Sequence, residues 1–325
     1  MFGMNVGPVC IVSPAVAANN NGNWHTAARW HEFLQAAADP HIIPHWEGAP
    51  AVAMIALHAI RSADSVRRFR DAFPARPIAV VLTGTDVYGG MNADSQAMDA
   101  LQCASHIVVL QAMALDRLEV QHRKKARVVL QSAPRMLSAR RLDDRHEFVA
   151  VGHLRDVKDP LTFMRASVAL RGAVDARFVH IGEAIEPALG AAARDAMAAC
   201  ASYRWLGGMS QKDARARIAD ARALVHMSRL EGGANVVIEA VRSAVPVLAS
   251  HIEGNVGLLG PDYGGYFPVG HVACLTDLIR RVSEDRAFHA ELRRQCVERS
   301  PLFAPEAEMQ AVQSLLRDML GAHRP

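Results

Sequence analysis

Short apolar runs alternate with helical patterns along the whole sequence, and this alternation constrains the fold more than any other feature. A short run without polar alternation suits a strand that is covered on both faces, as in a parallel sheet with crossover helices. The predicted strands are Val9–Ser13, His41–Trp46, Val52–Leu57, Ile78–Leu82, Ile107–Leu110, Val128–Gln131, Phe148–Gly152, Phe178–Ile181, Tyr203–Leu206, Ala223–His226, Val247–Ser250 and Tyr266–Val269. The fold class that follows is α/β, with two Rossmann-like, doubly wound domains facing a cleft.

The stretch Arg135–Glu147 separates the two halves. It is polar and rich in arginine, with little apolar periodicity, which is typical of a linker. We therefore predict an N-terminal domain over residues 1–145 and a C-terminal domain over residues 146–325. Apolar residues at helical spacing in Phe303–Leu320 predict a closing helix, which we assign to the C-terminal domain.

Composition limits the partners and the compartment. The net charge of +3 is small for a protein that binds nucleic acid, and two basic clusters, Arg67–Arg70 and Arg123–Arg127, are interpreted as solvated helix faces. No apolar run approaches the roughly 20 residues that span a bilayer, and Met1–Met4 does not begin a basic leader. The five cysteines occur singly, which favours a reducing compartment over a disulfide or zinc framework. We expect a cytoplasmic protein without nucleic-acid or membrane partners.

Two carboxylates bracket a glycine pair within Ser228–Ala240. We expect Glu231 to lie in a loop beside a ligand. Glu239, two turns into the predicted helix, could accept hydrogen bonds from the two hydroxyls of a ribose. The alternative is that both are ordinary solvated carboxylates at a chance spacing.

The backbone between these carboxylates predicts an anion site. Gly232 and Gly233 carry no Cβ and allow a ligand to approach closely. The helix start at Ala234 and Asn235 supplies N–H donors and a positive dipole. Because a strand, glycine loop, helix and second strand follow in the order of an α/β ligand crevice, the pattern indicates a nucleotide-sugar site.

A basic loop, Gly152–Pro160, follows the first strand of the second half. Arg155 and Lys158 at a strand's carboxyl end are well placed to neutralise a diphosphate, the first as a planar fork and the second as a point charge. His153 is interpreted as either a ligand contact or a structural residue. Surface ion pairing is the alternative for the two cations.

A polar stretch, Asn19–Arg29, follows the first strand and enters a helix. Gly22 and Asn23 could present backbone N–H groups to an anion, and Asn23 could cap the helix. The stretch lacks the G-x-G-x-x-G pattern of dinucleotide sites. An ordinary polar loop is an equally good interpretation.

Two further strand ends carry groups that suit a small oxyanion. His58, Arg61 and Ser62 follow one strand, and Thr83 and Thr85 follow the next. An imidazole, a guanidinium and hydroxyls at adjacent strand ends make a compact anion pocket. Helix capping by Ser62 or Asp86 is an alternative that can hold at the same time. No Asp-x-Asp pair and no zinc-type spacing appears, so we expect no metal or other cofactor.

These motifs resemble the retaining glycosyltransferases of the two-Rossmann (GT-B) type that carry a Glu-x7-Glu element. The loop Gly152–Lys158, the turn Tyr203–Gly208 and the element Ser228–Glu239 occur in the family's order. His153 stands where that family usually has Arg, and Ala244 where it usually has Gly. The resemblance therefore implies that diphosphate contacts shift onto Arg155.

A narrower resemblance, over roughly residues 8 to 320, is to the selenosugar synthases of selenoneine biosynthesis. It is carried by Leu57–Arg70, Leu82–Tyr88, Val151–Pro160, Tyr203–Gly207, Ser228–Ala240 and Gly257–Gly270. It implies a reaction between a UDP-sugar, UDP-N-acetylglucosamine or UDP-glucose, and selenophosphate. The products implied are a 1-selenosugar, UDP and phosphate.

The residues and the resemblance together define the expected site. Catalytic roles are expected for Arg155, Lys158 and Glu231. The expected donor-binding residues are Gly22, Asn23, His153, Gly207, Gly232, Gly233, Ala234, Asn235 and Glu239. The expected acceptor-binding residues are His58, Arg61, Ser62, Thr83 and Thr85.

Two other functions remain open from the sequence. One is an ordinary UDP-sugar-dependent glycosyltransferase that acts on a sugar, lipid or small alcohol. The absence of a basic amphipathic membrane helix weighs against a lipid acceptor. The other is a protein that binds a nucleotide sugar without turnover.

Overall fold

Two six-stranded sheets form the framework of the protein, and all their strand pairs are parallel. The computed structural model describes residues 6–15, 22–140 and 146–321. The chain divides into two compact units, one around each sheet. This is the two-domain α/β architecture that the alternation of apolar runs and helices predicts.

The first sheet has the order β2-β1-β3-β4-β5-β6. Its strands are β1 (Pro8–Val12), β2 (Asp39–Ile43), β3 (Ala53–Leu57), β4 (Ile78–Leu82), β5 (His106–Val109) and β6 (Ala126–Val128). Successive residues of a strand point to opposite faces. Met54 and Ala56 accordingly join one hydrophobic cluster, whereas Ile55 and Leu57 join another. Both faces of the sheet are therefore covered, as a continuous apolar run requires.

Helices supply the covering layers of the first sheet. They are α1 (Gly22–Leu34), α2 (Ala63–Ala72), α3 (Ser95–Cys103) and the short α4 (Val120–Arg123). Trp30 of α1 is fully buried in one cluster, and Phe69 of α2 is fully buried in the other. The helix α3 begins after Asp94, whose carboxylate accepts a hydrogen bond from the Ala97 nitrogen at 2.9 Å.

The second sheet has the order β12-β11-β10-β7-β8-β9. Its strands are β7 (Glu147–Val151), β8 (Arg177–Ile181), β9 (Tyr203–Trp205), β10 (Ala223–His226), β11 (Val247–Ser250) and β12 (Tyr266–Phe267). All twelve predicted strands are confirmed, with differences only at their ends. The strand predicted to begin at Val128 instead ends there as β6, and β12 stops before Pro268, which has no N–H for a ladder.

Seven helices of the described residues accompany the second sheet. They are α5 (Pro160–Ala169), α6 (Pro187–Ala199), α7 (Gln211–Asp220), α8 (Asn235–Arg242), α9 (Glu253–Leu259), α10 (Val272–Glu284) and α11 (Arg286–Arg299). Within the part of the chain that the structure describes, no helix is both long and apolar enough to cross a membrane.

The last helix, α12 (Pro305–Gly321), packs on the first sheet. Leu315 and Leu316 are fully buried in the cluster that holds Val9 and Ile11 of β1. The carboxylate of Glu308, 2% exposed, accepts a hydrogen bond from Nε1 of Trp30 at 2.8 Å. The predicted bounds, which assign this helix to the C-terminal domain, are wrong here, because its apolar face is buried against the N-terminal unit.

The boundary between the units also differs from the prediction. The first stretch of the first unit ends at Gln131, and the second unit begins at Ser132. Of the predicted linker Arg135–Glu147, residues 141–145 lie outside the described residues, and Glu147 already belongs to β7. Ser138 Oγ donates to the Asp220 carboxylate at 2.6 Å, which ties the described part of this stretch to α7. Polarity alone could not reveal that attachment.

Candidate functional site

His58 marks the carboxyl end of β3 in the first unit. It is buried, and its φ of 71° lies in the left-handed region, which favours glycine and which other residues adopt uncommonly. Its Nε2 lies 3.0 Å from Oγ1 of Thr85, which follows β4. Burial lowers the pKa of His58, the nearby Asp86 raises it, and Arg61 lowers it further. The imidazole is therefore a neutral hydrogen-bonding group near pH 7.

Asp86 holds these two strand ends together. Its carboxylate, fully buried, accepts hydrogen bonds from the nitrogen atoms of Thr83 at 2.8 Å, Val87 at 2.9 Å and Ala59 at 3.0 Å. Oγ1 of Thr83 adds a fourth at 3.2 Å. The sequence suggested only a helix cap for Asp86. Its neighbour in space, Ala59, could not be inferred from local spacing.

The two other residues expected near His58 play different parts. Ser62 Oγ donates to the Leu57 carbonyl at 2.6 Å and does not cap α2, so the capping interpretation of Ser62 is wrong. The Arg61 side chain is exposed, and its backbone N–H lies 3.4 Å from Nδ1 of His58. The structure thus brings His58, Thr83 and Thr85 into one network, with Arg61 at its solvent side.

The segment Glu231–Gly233 belongs to the first unit and lies against the turn after β4. A Cβ on Gly232 would lie 2.2 Å from the Thr83 carbonyl oxygen, and a Cβ on Gly84 would lie 2.7 Å from the Gly232 nitrogen. The two loops can meet only because both positions are glycine. Glu231 is 8% exposed. The structure therefore places Glu231, an expected catalytic residue, in the same unit as Thr83, an expected acceptor residue.

Gln131, just beyond β6, is a further candidate site residue, to which the sequence pattern assigned no role. It is 2% exposed, and its Oε1 has no hydrogen-bond partner among the described residues. A Cβ on Gly233 would lie 2.4 Å from that oxygen. The Gln131 amide also donates to Oγ1 of Thr26, which donates to the Gly22 carbonyl at 2.8 Å. The sequence signal for Gln131 was its position as a polar residue at the end of the predicted apolar strand Val128–Gln131.

The amino end of α1 is only partly described. Asn19–Asn21 of the predicted polar loop lie outside the described residues. Gly22, the first described residue of α1, is already helical, so Asn23 lies inside the helix and does not precede it as a cap. The expected capping role of Asn23 is therefore wrong, because a cap has non-helical backbone and the residue before Asn23 is already helical.

The basic loop of the second unit follows β7 as expected. Residues Asp156–Lys158 form a single 3-10 turn, and Asp159 ends it with a φ of 46°. The buried Asp159 carboxylate accepts hydrogen bonds from Thr162 at 2.7 Å and from Arg229 at 3.2 Å. The Arg229 N–H also donates to the Val157 carbonyl at 2.9 Å. Arg229, which the sequence analysis gave no role, thus fixes the loop that carries Lys158.

Arg155 and His153 of this loop differ in charge and setting. Arg155 is exposed and forms no ion pair among the described residues, which disfavours the surface ion-pair interpretation. Nδ1 of His153 accepts a hydrogen bond from the backbone nitrogen of Glu183 at 3.2 Å. Burial lowers the pKa of His153, and the charge of Glu183 only partly opposes this. His153 is held as a neutral acceptor and does not supply the charge of an arginine.

Two glycine turns shape the same edge of the second sheet. Gly182 has a φ of 148°, and a Cβ there would lie 2.0 Å from the Gly152 carbonyl oxygen. The Gly182 nitrogen donates to the Gly207 carbonyl at 2.8 Å. Gly207 has a φ of 73°, and a Cβ there would meet nothing within 4 Å, so the position needs glycine for its backbone conformation and not for space.

Glu239 is the second carboxylate of the Glu-x7-Glu element. It lies just over one turn into α8, which begins at Asn235 after Ala234, and not two turns in as predicted. Glu239 is 4% exposed, and its Oε1 accepts hydrogen bonds from Arg215 at 2.7 Å and Gln211 at 3.1 Å. It is a buried, ion-paired carboxylate, so a simple solvated glutamate is excluded.

Asn235 contributes a buried oxygen at the start of α8. Its Oδ1 has no hydrogen-bond partner among the described residues. Within those residues, no group of three or more His, Cys, Asp and Glu side chains is arranged to hold a metal ion. The candidate ligand-binding groups of the second unit are therefore polar rather than metal-based, and they include Arg155, the start of α8 and Glu239.

Comparisons with solved structures agree with this fold. Sucrose-phosphate synthase from Thermosynechococcus elongatus is 15% identical, covers 97% of this chain and 100% of its own, and has a TM-score of 0.80. HepE from Anabaena, solved in complex with UDP-glucose, is 12% identical, with 96% and 99% covered and a TM-score of 0.76. The lipopolysaccharide outer core galactosyltransferase WaaB, in its apo form, is 13% identical, with 96% and 99% covered and a TM-score of 0.68.

These likenesses identify the fold, and a family model identifies the family. The model described as glycosyl transferases group 1 matches residues 138–302, which is half of the chain and includes the basic loop and the Glu-x7-Glu element. The chain therefore has the GT-B fold and belongs to the glycosyl transferases group 1 family.

Proposed function

We propose that this glycosyltransferase transfers a sugar from a UDP-sugar, UDP-N-acetylglucosamine or UDP-glucose, to selenophosphate. Selenium attacks C1 of the sugar with its electron pair, and the bond between C1 and the UDP oxygen breaks. Water then cleaves the phosphorus–selenium bond, which gives a 1-selenosugar and phosphate. A soft, already ionised nucleophile needs little general-base help, so orientation and stabilisation of departing UDP are the protein's main tasks.

The observation that carries the proposal is the exposed Arg155 guanidinium, without an ion-pair partner among the described residues, at the carboxyl end of β7. A diphosphate that leaves with two negative charges needs such a fork of donors. Lys158 in the same loop adds a second cation, and Arg229 keeps the loop in place. HepE was solved with UDP-glucose, which supports UDP as the nucleotide.

We assign the two carboxylates to different parts of the donor. Glu231 contacts the transferred sugar, and Glu239 accepts hydrogen bonds from the ribose hydroxyls. A carboxylate has about four acceptor positions, so the ribose would share Glu239 with Arg215 and Gln211. The backbone at Gly233 and the start of α8 supply N–H groups to the diphosphate.

The acceptor is assigned to the strand ends of the first unit. Selenophosphate is small, tetrahedral and highly charged, and it suits a compact set of hydroxyls and one guanidinium. Thr85 and Arg61 are exposed there, whereas Asp86 and Ser62 are already engaged with the protein. Arg61 is therefore the group that would neutralise the acceptor, with His58 orienting Thr85.

Mass spectrometry of the reaction mixture tests this function. The protein is incubated with each UDP-sugar under three conditions. The first has no acceptor, the second contains selenophosphate, and the third contains inorganic phosphate as the matched acceptor that lacks selenium. A hexose-sized product with the selenium isotope pattern, formed only with selenophosphate and with equimolar UDP, is the expected result. UDP release with sugar or alcohol acceptors but not with selenophosphate would identify an ordinary glycosyltransferase. UDP-sugar binding without release under any condition would indicate a binding protein.

A further inference from the structure

A basic cavity lies on the edge of the first sheet where β5 and β6 begin. It has a volume of about 660 Å³ and is lined in part by residues from the start of these strands and by Ala311 and Ser314 of α12. In a parallel sheet the amino ends of the strands lie together on one side and the carboxyl ends lie together on the opposite side. The cavity is therefore separate from His58 and Thr83, which follow the carboxyl ends of β3 and β4.

The ionisable side chains that line this cavity are all basic. They are His106, Lys124, Lys125 and Arg127. The nearby Asp318 accepts a hydrogen bond from Nη1 of Arg127 at 2.8 Å, with the two side chains 51% and 31% exposed. An ion pair this exposed is weak, and it occupies only one edge of a guanidinium that has five donors.

Lys125 gives the cavity a charge that solvent covers poorly. Its Nζ donates to the carbonyl oxygens of Leu101 and Ala104, both at 2.7 Å, near the end of α3. Burial lowers the pKa of Lys125, and the charge of Arg70 lowers it further. The three N–H donors of the ammonium are directed at the carbonyls of Leu101, Ala104 and, at 3.4 Å, Gln102, so Lys125 would stabilise a ligand anion by its charge and not by a hydrogen bond.

The edge of β6 adds backbone donors to the same cavity. The Ile107 nitrogen donates to the Lys125 carbonyl, and the Val129 nitrogen donates to the Val109 carbonyl. Because alternate residues of a parallel strand bond to one neighbour, the N–H groups of Ala126 and Val128 point away from β5. As β6 is the last strand of the sheet, these groups lie on its open edge.

Arg67 and Arg68 of the other basic cluster have none of these features. Arg67 and Arg68 of α2 are exposed, and both pair with Asp64, at 2.7 Å and 3.6 Å. They fit the solvated helix face that the sequence predicts. The cluster Arg123–Arg127 contributes three of the four basic side chains of the cavity and runs into β6, so it is not simply a solvated helix face.

We propose that this cavity binds a small molecule with a phosphate or diphosphate group, at a site distinct from the transfer reaction. Its volume lies in the range of small-molecule pockets, about 300–1,000 Å³. The cations and edge N–H groups match phosphoryl oxygens. Ala126, Val128 and Ala311 offer an apolar wall to the carbon part of the ligand.

Isothermal titration calorimetry of the full chain with inorganic pyrophosphate tests the proposal. The variant Lys124→Ala/Arg127→Ala removes two cations of the cavity and leaves Lys125, which holds the end of α3. The matched control, Arg67→Ala/Arg68→Ala, removes the same net charge from α2. We expect saturable binding that weakens at least about tenfold in the first variant and stays unchanged in the control.

A second background separates this site from the proposed donor site. Arg155→Ala/Lys158→Ala should retain the cavity's pyrophosphate binding, because those residues belong to the other unit. Thermal unfolding of every variant checks that the fold is kept. The proposal is overturned if no saturable binding occurs, if both α2 and cavity variants weaken it equally, or if binding disappears only in Arg155→Ala/Lys158→Ala.

Discussion

At the scale of single residues, close approaches of glycine backbones decide the site. Gly233 faces Oε1 of Gln131, and Gly232 faces the Thr83 carbonyl. These contacts seat the segment that carries Glu231. Each is invisible in the local sequence, since Gln131 and Gly233 are about a hundred positions apart and neither belongs to a motif with the other.

The first prediction concerns that contact. Gly233→Ala would place a Cβ 2.4 Å from Gln131 Oε1 and 3.0 Å from Leu110 Cβ, so the segment must shift. We expect turnover to fall about 10²-fold, the cost of misplacing a catalytic group by roughly 1 Å. Gln131→Ala/Gly233→Ala should recover much of this loss, because the closer obstacle is gone. UDP release assays decide it, and a double variant no better than Gly233→Ala would contradict the assignment.

The second prediction concerns leaving-group charge. Arg155→Ala should lower turnover by about 10²–10³-fold, the size typical of losing one preorganised donor, without loss of stability. Arg177→Ala is the matched control, because Arg177 is also an exposed arginine of the second unit but lies at the amino end of β8. Steady-state UDP release compares the two. Equal activities would remove Arg155 from the proposed mechanism.

At the scale of secondary-structure elements, the backbone just after α8 is strained at Ala244. Ala244 has a φ of 55°, in the left-handed region that favours glycine. Ala in this conformation costs roughly 1–2 kcal/mol, whereas Gly adds about 0.4–1 kcal/mol of unfolded-state entropy. The departure noted in the sequence thus has a conformational cost.

The third prediction follows from that balance. Ala244→Gly should raise the free energy of unfolding by about 0.5–1 kcal/mol, measured by urea denaturation. Ala191→Gly, at an exposed position within α6, should instead lower it by about 0.5–1 kcal/mol, because there the helix is right-handed. The opposite signs separate relief of strain from a general effect of glycine.

The fourth prediction concerns β8 and acid. His180 is 1% exposed, and burial lowers its pKa from 6.5 to about 4. Below about pH 6.5, His180 is protonated in the unfolded chain but stays neutral in the native chain. The free energy of unfolding should therefore fall as the pH is lowered from about 6.5 to about 4. The loss is at most about 3 kcal/mol. Urea titrations at several pH values should show a smaller fall for His180→Gln, and an identical fall would refute the attribution.

At the scale of the whole molecule, the chain returns to its first unit at its end. The fully buried face of α12 joins the cluster of β1 and α1, and Arg29 and Trp30 bind Glu308. The C-terminal residues therefore stabilise the N-terminal sheet. A domain assignment by sequence order is wrong wherever a last element packs far from its neighbours in the chain.

The fifth prediction tests that arrangement. Leu316→Ala should destabilise the first unit by about 2–5 kcal/mol through lost burial and a residual cavity. Leu302→Ala, which changes a leucine that is 45% exposed in the second unit, should cost less than about 0.5 kcal/mol. Hydrogen exchange should quicken in β1 and β3 for Leu316→Ala but not in β7 and β8. Equal quickening in both sheets would contradict the packing.

The sequence alone determined the two parallel sheets, all twelve strands, the basic loop after β7 and the Glu-x7-Glu element. These depend on local apolar periodicity and on residue types at short spacing, which the chain states directly. Only the tertiary structure decided that α12 packs on the first sheet, that Glu231–Gly233 joins that unit, and that Arg229, Gln131 and Asp86 fix the loops. The physical reason is that burial and hydrogen-bond pairing bring together residues distant in sequence, and periodicity does not specify which distant partners meet.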